Sequence, residues 1–367
     1  MKIVQLANFY SVTSGGLRTV VDTLGRGYVA HGHQRVLVVP GRAPGRTRTE
    51  TGLVVTVPGM PVSGGYRVIP RCSAVLRVLD EVAADSVEVS DKLTLVAAAG
   101  WARARGASAV LFSHERLDRW LSARLPRLWR RAGAVLDAAV RSWNRRIADL
   151  FDTVVVTSAY AEAEFARLAV RKLRRIPLGV DLTTFRPRWP RPDRRVARLV
   201  YAGRLSPEKN VSAVIDAVPR LLGAGIPVHL DMYGDGSARR ALVRQAAGLP
   251  VAFHGHLADR ATLARALADA DLAFAPSAAE TFGLSILEAM ACGTPVVVAA
   301  SGGAPELIAP GAGIAVPANA DGLARGAATV LSWPVATRRR AARRRAEQFP
   351  WSATIAKMLD LHGALRG

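Results

Sequence analysis

Residues 272–299 read Leu272-Ala273-Phe274-Ala275-Pro276-Ser277-Ala278-Ala279-Glu280-Thr281-Phe282-Gly283-Leu284-Ser285-Ile286-Leu287-Glu288-Ala289-Met290-Ala291-Cys292-Gly293-Thr294-Pro295-Val296-Val297-Val298-Ala299. An apolar strand ends at Pro276, and a helix opens near Phe282 and Gly283 and stops at Gly293. A second apolar strand follows at once. Strand, helix and strand in so short a span predict parallel strands joined by a helical crossover.

The same alternation extends outward. Strand-like runs at 198–202, 228–232 and 251–254 precede the stretch, each separated by helical segments. Nearer the start, runs at 3–7, 35–39, 86–89, 109–112 and 153–156 alternate with Ala/Arg/Leu-rich segments such as 17–30. Between them Pro177, Pro187, Pro190 and Pro192 crowd together with Arg186, Arg188, Arg191 and Asp193, which predicts an interdomain linker. The expectation is two α/β domains, over residues 1–185 and 186–349. A chain of 367 residues, 50% hydrophobic, has enough apolar material for two ordinary cores. Residues 333–367 begin as a basic helix, pass Phe349-Pro350-Trp351 and end in another helix.

Composition excludes several classes. Met1-Lys2-Ile3-Val4-Gln5-Leu6-Ala7 runs directly into a strand, without the charged region and apolar stretch of an export signal. No apolar run approaches the roughly 20 residues needed to span a bilayer. The two cysteines, Cys72 and Cys292, lie far apart and give neither a disulfide framework nor a cysteine metal site, which fits a reducing cytoplasm. The net charge of +21 suits an anionic partner, and equally reflects a composition in which Arg stands wherever a positive charge is tolerated, with 45 Arg against 5 Lys.

Ligands of open α/β sheets sit beyond the carboxyl ends of the strands, and the unusual residues gather there. The first strand leads to Ser14-Gly15-Gly16-Leu17-Arg18, where a glycine pair opens a helix: a phosphate seat or a plain tight turn. The spacing is not G-x-G-x-x-G, which disfavours a nicotinamide dehydrogenase. Two neighbouring strands end at Ser90-Asp91-Lys92 and Ser113-His114-Glu115-Arg116. His114 is a functional or a core histidine, and Asp91 a functional carboxylate or a helix cap. In the second half, Gly203-Arg204-Leu205-Ser206-Pro207-Glu208-Lys209-Asn210 sets a forked and a point cation around one turn, which suits a diphosphate. The amides of Phe282, Gly283 and Leu284 point at an anion, with Glu280 beside them and Glu288 over one turn into the helix. Glu288 sits among Ile286, Leu287, Ala289 and Met290, where a carboxylate is costly without a partner.

With these residues in hand, the chain resembles the retaining glycosyltransferases of family four. The resemblance covers nearly the whole chain. It is carried by Glu280 and Glu288 within the 280–295 stretch, Gly203-Arg204-Leu205 with Lys209-Asn210, Gly234-Asp235-Gly236, Gly15-Gly16, Pro177-Leu178-Gly179-Val180-Asp181, and Gly302-Gly303 with Pro305-Glu306. It implies the GT-B architecture, two Rossmann-like domains facing across a cleft, with residues 350–367 returning to the N-terminal one. It further implies that Arg204 and Lys209 bind the donor diphosphate, aided by Gly15, Gly16 and the amides of Phe282, Gly283 and Leu284. Glu288 would hold the ribose, Glu280 and His114 the transferred sugar, and His256 would lie near the base. Asp91, Glu115 and Arg116 are the acceptor-side candidates. Such enzymes need no metal ion or cofactor, and Asp269-Ala270-Asp271, although it looks like a metal motif, reads as structural because it lies where a helix runs into a strand.

Within the family, Asn8-Phe9-Tyr10, Ser90-Asp91-Lys92 and Ser113-His114-Glu115-Arg116-Leu117-Asp118 look like actinobacterial mannosyltransferases acting on phosphatidylinositol mannosides. That resemblance implies GDP-mannose as donor, an anionic glycolipid as acceptor and action at the cytoplasmic face of the membrane. Residues 121–150 carry Arg124, Arg127, Arg130, Arg131, Arg141, Arg145 and Arg146 among Leu, Trp129 and Trp143, as a peripheral membrane helix does and as an ordinary amphipathic helix also does. The rivals are a sugar-nucleotide epimerase of the same architecture and a nucleic-acid-binding protein. The Glu280/Glu288 arrangement opposes the first; 6% aromatic content and dispersed arginines oppose the second.

Overall fold

The computed structural model describes the chain except residues 12–14, 63–64, 125, 169–171, 189–194 and 366–367, and the side chains at 120, 123–130 and 167 are likewise outside it. Ser14 and the linker residues Pro190, Arg191, Pro192 and Asp193 therefore lie outside the described residues, as do the side chains of Arg124, Arg127, Trp129 and Arg130. The chain divides into two compact units: Met1–Pro177 with Ser352–Gly367, and Leu178–Trp351.

The first unit is built on strands β1 (Lys2–Leu6), β2 (Gln34–Gly41), β3 (Gly45–Thr49), β4 (Gly52–Pro58), β7 (Ser86–Val89), β8 (Ser108–Phe112), β9 (Thr153–Val156) and β10 (Leu173–Arg175), with a small hairpin of β5 (Met60–Pro61) and β6 (Arg67–Val68) beside them. The sheet order is β10-β9-β8-β7-β1-β2-β4-β3, parallel except for the antiparallel β3–β4 pair. The second unit holds β11 (Ala197–Ala202), β12 (Val228–Tyr233), β13 (Val251–Gly255), β14 (Leu272–Ala275), β15 (Val296–Ala299) and β16 (Gly313–Val316), ordered β13-β12-β11-β14-β15-β16 and all parallel. Val36–Val39, Val154–Val156 and Val296–Val298 are buried, as parallel strands covered on both faces must be.

In each unit the strand order reverses once, between β1 and β7 and between β11 and β14. At such a switch point the loops leave in opposite directions and open a crevice at the strand ends.

Asp271 sits between the helix Arg260–Asp269 and β14, and its carboxylate accepts from the Arg198 N–H at 2.8 Å. The segment after Pro177 is packed rather than loose: Val180 bridges to Pro350, its N–H donates to Phe349 O at 2.9 Å, and Phe185 is fully buried. The helix Trp351–Ala364 then returns to the first unit. Thr354 Oγ1 donates to Pro177 O at 2.9 Å, and His362, fully buried, shares a hydrogen bond with Ser86 Oγ at 2.8 Å.

The basic run at 338–345 does not make one solvated face. In the helix Val335–Ala346, Arg338 and Arg339 are buried and spend their guanidinium groups on carbonyls where other helices end. Arg338 Nη1 donates to Val330 O and Leu331 O at the end of the helix Ala320–Ser332. Arg339 Nη1 donates to Ala270 O at 2.9 Å, and its Nη2 to Ala268 O at 2.8 Å and Cys292 O at 3.0 Å. A cation among unpaired C-terminal carbonyls answers both the hydrogen-bond deficit and the negative end of the helix dipole.

Among the described residues no helix is long and apolar enough to cross a membrane. The helix Pro126–Leu150 buries Val140, Asn144 and Ile147 and leaves Arg131, Arg141, Arg145 and Arg146 exposed.

Candidate active site

The switch point of the second unit brings together the two cationic and acidic loops that the sequence separates. After β11 the chain turns through Gly203 and Arg204 into a single 3-10 turn, Pro207–Lys209, and Lys209 Nζ donates to Glu280 Oε2 at 2.7 Å. Both side chains remain about one-quarter exposed, at 29% and 26%. Arg204, on the same loop, is half exposed and lies 4.0 Å from Glu208. Ser277 Oγ donates to Glu208 O at 3.2 Å and ties the two loops together.

The Glu280 loop is cradled from below. Gly303 N–H donates to Glu280 O at 2.6 Å, and Gly302, at φ 89°, sits so close that a Cβ there would lie 3.0 Å from both Ala278 O and Glu280 O. Only glycine tolerates that conformation and approach together. The helix Leu284–Ala291 begins next, capped by Gly283 at φ 106°. The first amides of a helix have no acceptor within it, so the N-terminal end at Phe282, Gly283 and Leu284 favours an anion. Cations, helix end and carboxylate thus share one mouth.

Glu288, inside this helix, is buried, and Arg260 Nη2 donates to its Oε1 at 2.7 Å. Burial pushes the Glu288 carboxyl above the ordinary carboxylate range, and Arg260 works against that rise. Sequence reasoning missed Arg260, yet a signal was present. Asp259 caps the helix Arg260–Asp269 through the Ala261 and Thr262 N–H groups, which leaves Arg260 in the first turn, where a cation opposes the helix dipole. His256 is exposed just beyond β13.

In the first unit, Gly15 caps and Gly16 opens the helix Gly16–Ala30. Among the described residues a Cβ on Gly15 would meet nothing within 4 Å, and its φ is an ordinary −65°. His114 follows β8, stacked on Phe112 with ring centroids 4.6 Å apart, and its Nε2 shares a hydrogen bond with Ser90 Oγ at the end of β7, at 3.1 Å. Asp91 is spent on its own turn: Oδ1 accepts from the N–H groups of Leu93, Thr94 and Leu95 at 2.9, 2.6 and 3.0 Å. Arg116 forks onto Asp118 at 3.0 and 2.6 Å and lies over the Tyr160 ring, while Glu115 is exposed and offers its carbonyl to Lys92 Nζ at 2.7 Å.

Burial pushes the His114 imidazole down to about 4; the Glu88 carboxylate opposes the shift and the Lys92 ammonium adds to it. The ring is neutral near pH 7, a hydrogen-bonding group and not a cation. Its folded-state pKa lies below its unfolded value of 6.5, so between pH 6.5 and 4 the unfolded chain binds the extra proton and acid destabilises the fold. In His114→Gln the fall in unfolding free energy from about pH 7 to about pH 5 is expected to be shallower than in the wild type, as read by urea titration. Parallel slopes would mean that His114 titrates normally.

Residues 14–184 match the model of Glycosyltransferase Family 4, and residues 196–332 match Glycosyl transferases group 1. Over 377 aligned residues the chain is 43% identical to the GDP-mannose-dependent alpha-(1-6)-phosphatidylinositol dimannoside mannosyltransferase of Mycobacterium tuberculosis, covering 100% of this chain and 97% of that one. Sucrose-phosphate synthase from Thermosynechococcus elongatus superposes with a TM-score of 0.80 at 22% identity over 99% of this chain and 98% of that one. HepE of Anabaena, in complex with UDP and glucose, gives 0.73 at 20% identity over 98% and 99%. At such identities the two structures speak for the fold, and the mycobacterial relative speaks for the family. The chain belongs to glycosyltransferase family 4 and is a glycosyltransferase of the GT-B fold.

Proposed function

We propose that the enzyme transfers mannose from GDP-mannose to a phosphatidylinositol mannoside, with retention of anomeric configuration and without a metal ion. The observation that carries the donor side is the Lys209–Glu280 pair at the switch point, with Arg204 on one flank and a helix N-terminus on the other. Arg204, Lys209 and the amides of Phe282, Gly283 and Leu284 neutralise the leaving diphosphate, the task a divalent ion performs elsewhere. Gly15 and Gly16, at the start of the helix Gly16–Ala30, are suited to a phosphate by the unpaired amides of that helix end. Glu280 binds the hydroxyls of the transferred sugar, Glu288 the ribose, and His256 lies by the base. His114, neutral, is a hydrogen-bonding group for a sugar hydroxyl. On the acceptor side Asp91 shapes its loop, while Glu115 and Arg116 offer polar contacts.

The choice of mannose and of a glycolipid acceptor rests on the name of the mycobacterial relative. The exposed Arg131, Arg141, Arg145 and Arg146 suit an anionic cytoplasmic membrane surface.

Thermal stabilisation by GDP, UDP, ADP and their sugars, in the presence of chelator, tests the donor, since a ligand that binds only the folded state raises its stability by mass action. GDP and GDP-mannose are expected to give the largest shifts. A UDP-selective shift would discard mannose, loss of the shift under chelator would discard metal independence, and no shift with any nucleotide would discard the donor site. Flotation with anionic and neutral vesicles tests the membrane: equal recovery on both removes the electrostatic part.

A further inference from the structure

Glu288 presents a physical problem that its role as a ribose ligand does not solve. A carboxylate buried in an apolar helix tends to take up a proton, and a carboxylic acid is a poorer acceptor for two hydroxyls than an anion is. Burial pushes Glu288 in that direction and the Asp181 carboxylate pushes it further. Arg260 supplies the opposing charge. Its guanidinium lies over the ring of the fully buried Phe185, 4.9 Å from guanidinium carbon to centroid, and its Nη2 reaches Glu288 Oε1 at 2.7 Å. Phe185 is in turn fixed by Arg343, whose Nη1 donates to the Phe185 carbonyl at 2.9 Å. The cation therefore stands on a rigid base and approaches one oxygen of the carboxylate. Among the described residues Oε2 has no hydrogen-bond donor.

We propose that Arg260 is a positioning residue for the nucleotide end of the donor: seated on Phe185, it holds Glu288 by Oε1 and leaves Oε2 for the vicinal hydroxyls of the ribose. The inference rests on the donor-site reading above and extends it to a residue outside the motifs that carry the family resemblance. Arg260 does not touch the reacting atoms, so its effect falls on donor binding and leaves turnover at saturation nearly unchanged.

The test is calorimetric binding of GDP and of 2′,3′-dideoxy-GDP, which lacks the diol, to the wild type, Arg260→Ala and Arg260→Lys at about pH 7.5 and about pH 5.5. Arg260→Ala is expected to weaken GDP about tenfold or more and dideoxy-GDP less than about threefold. The GDP loss grows at the lower pH, because without its cation Glu288 takes up a proton at a higher pH. Arg260→Lys recovers most of the affinity, which separates the charge from any loss of folding. In transfer assays the donor KM rises in Arg260→Ala while kcat stays within about threefold. Equal losses for the two nucleotides, or no loss, overturn the assignment of Arg260 alone. A wild type that binds none of GDP, UDP and ADP overturns the donor site, and this inference with it.

Discussion

Arg339→Leu is expected to destabilise the C-terminal unit by about 3–5 kcal/mol. Arg339 is 1% exposed, and its two terminal nitrogens hold the carbonyls of Ala268, Ala270 and Cys292. These carbonyls end the helices Arg260–Asp269 and Leu284–Ala291. Leucine fills part of the volume but gives none of the three a donor, and an unsatisfied buried carbonyl costs roughly 1–3 kcal/mol. The wild-type arrangement itself carries the cost of a desolvated cation, offset by the aligned dipoles; removing the cation alone leaves the dipoles uncompensated. Arg340 lies next to it on the same helix but is exposed. Arg340→Leu is expected to change stability by less than about 0.5 kcal/mol. Urea unfolding of the two variants decides the matter: equal effects would mean that the guanidinium contacts of Arg339 contribute nothing beyond its charge.

Glu280→Ala is expected to lower transfer by about a thousandfold or more with the fold intact. The Lys209–Glu280 pair is partly exposed, and such pairs contribute at most about 1 kcal/mol to stability, so the melting point barely moves. On the donor-site reading proposed above the loss is catalytic, because that reading assigns the transferred sugar to Glu280 and the leaving diphosphate to Lys209, and the two side chains meet at 2.7 Å. Lys209→Ala is expected to fall nearly as far, and the double variant little further, since groups acting as a unit do not lose activity additively. Single-turnover rates at saturating donor make the comparison. A soluble Glu280→Ala with near-wild-type turnover would remove Glu280 from the site; strictly additive losses would assign the two residues separate tasks.

The strands were legible where their chemistry was local. Val154–Val156 and Val296–Val298 are continuous β-branched runs and Val36-Leu37-Val38-Val39 a continuous apolar one, the pattern of strands buried on both faces. β3, Gly45-Arg46-Thr47-Arg48-Thr49, is exposed along its whole length at the sheet edge and so has no apolar pattern to read. β10 is short, charged and also at an edge, where charge guards against pairing with another chain. In the site, the glycines and loops could be read from sequence, but the partners could not. Lys209 and Glu280 are 71 positions apart and meet only because β14 lies beside β11. The arginine run at 338–345 was legible as a basic helix, whereas the burial of Arg338 and Arg339 depends on which helices end beside it. Charge counted along a sequence therefore overstates charge at a surface.

The packing of Val180 against Pro350 has a consequence for the order of synthesis. The chain enters the C-terminal unit at Leu178 and leaves it at Trp351 through adjacent positions, so that unit is one uninterrupted insertion whose ends are already joined. It is whole once residue 351 has emerged from the ribosome. The N-terminal unit, though most of it is made first, still lacks the helix that brings Ile355 against Gly27 and His362 against Ser86. The N-terminal unit therefore completes its packing around His362 only after the unit encoded in its middle has been made.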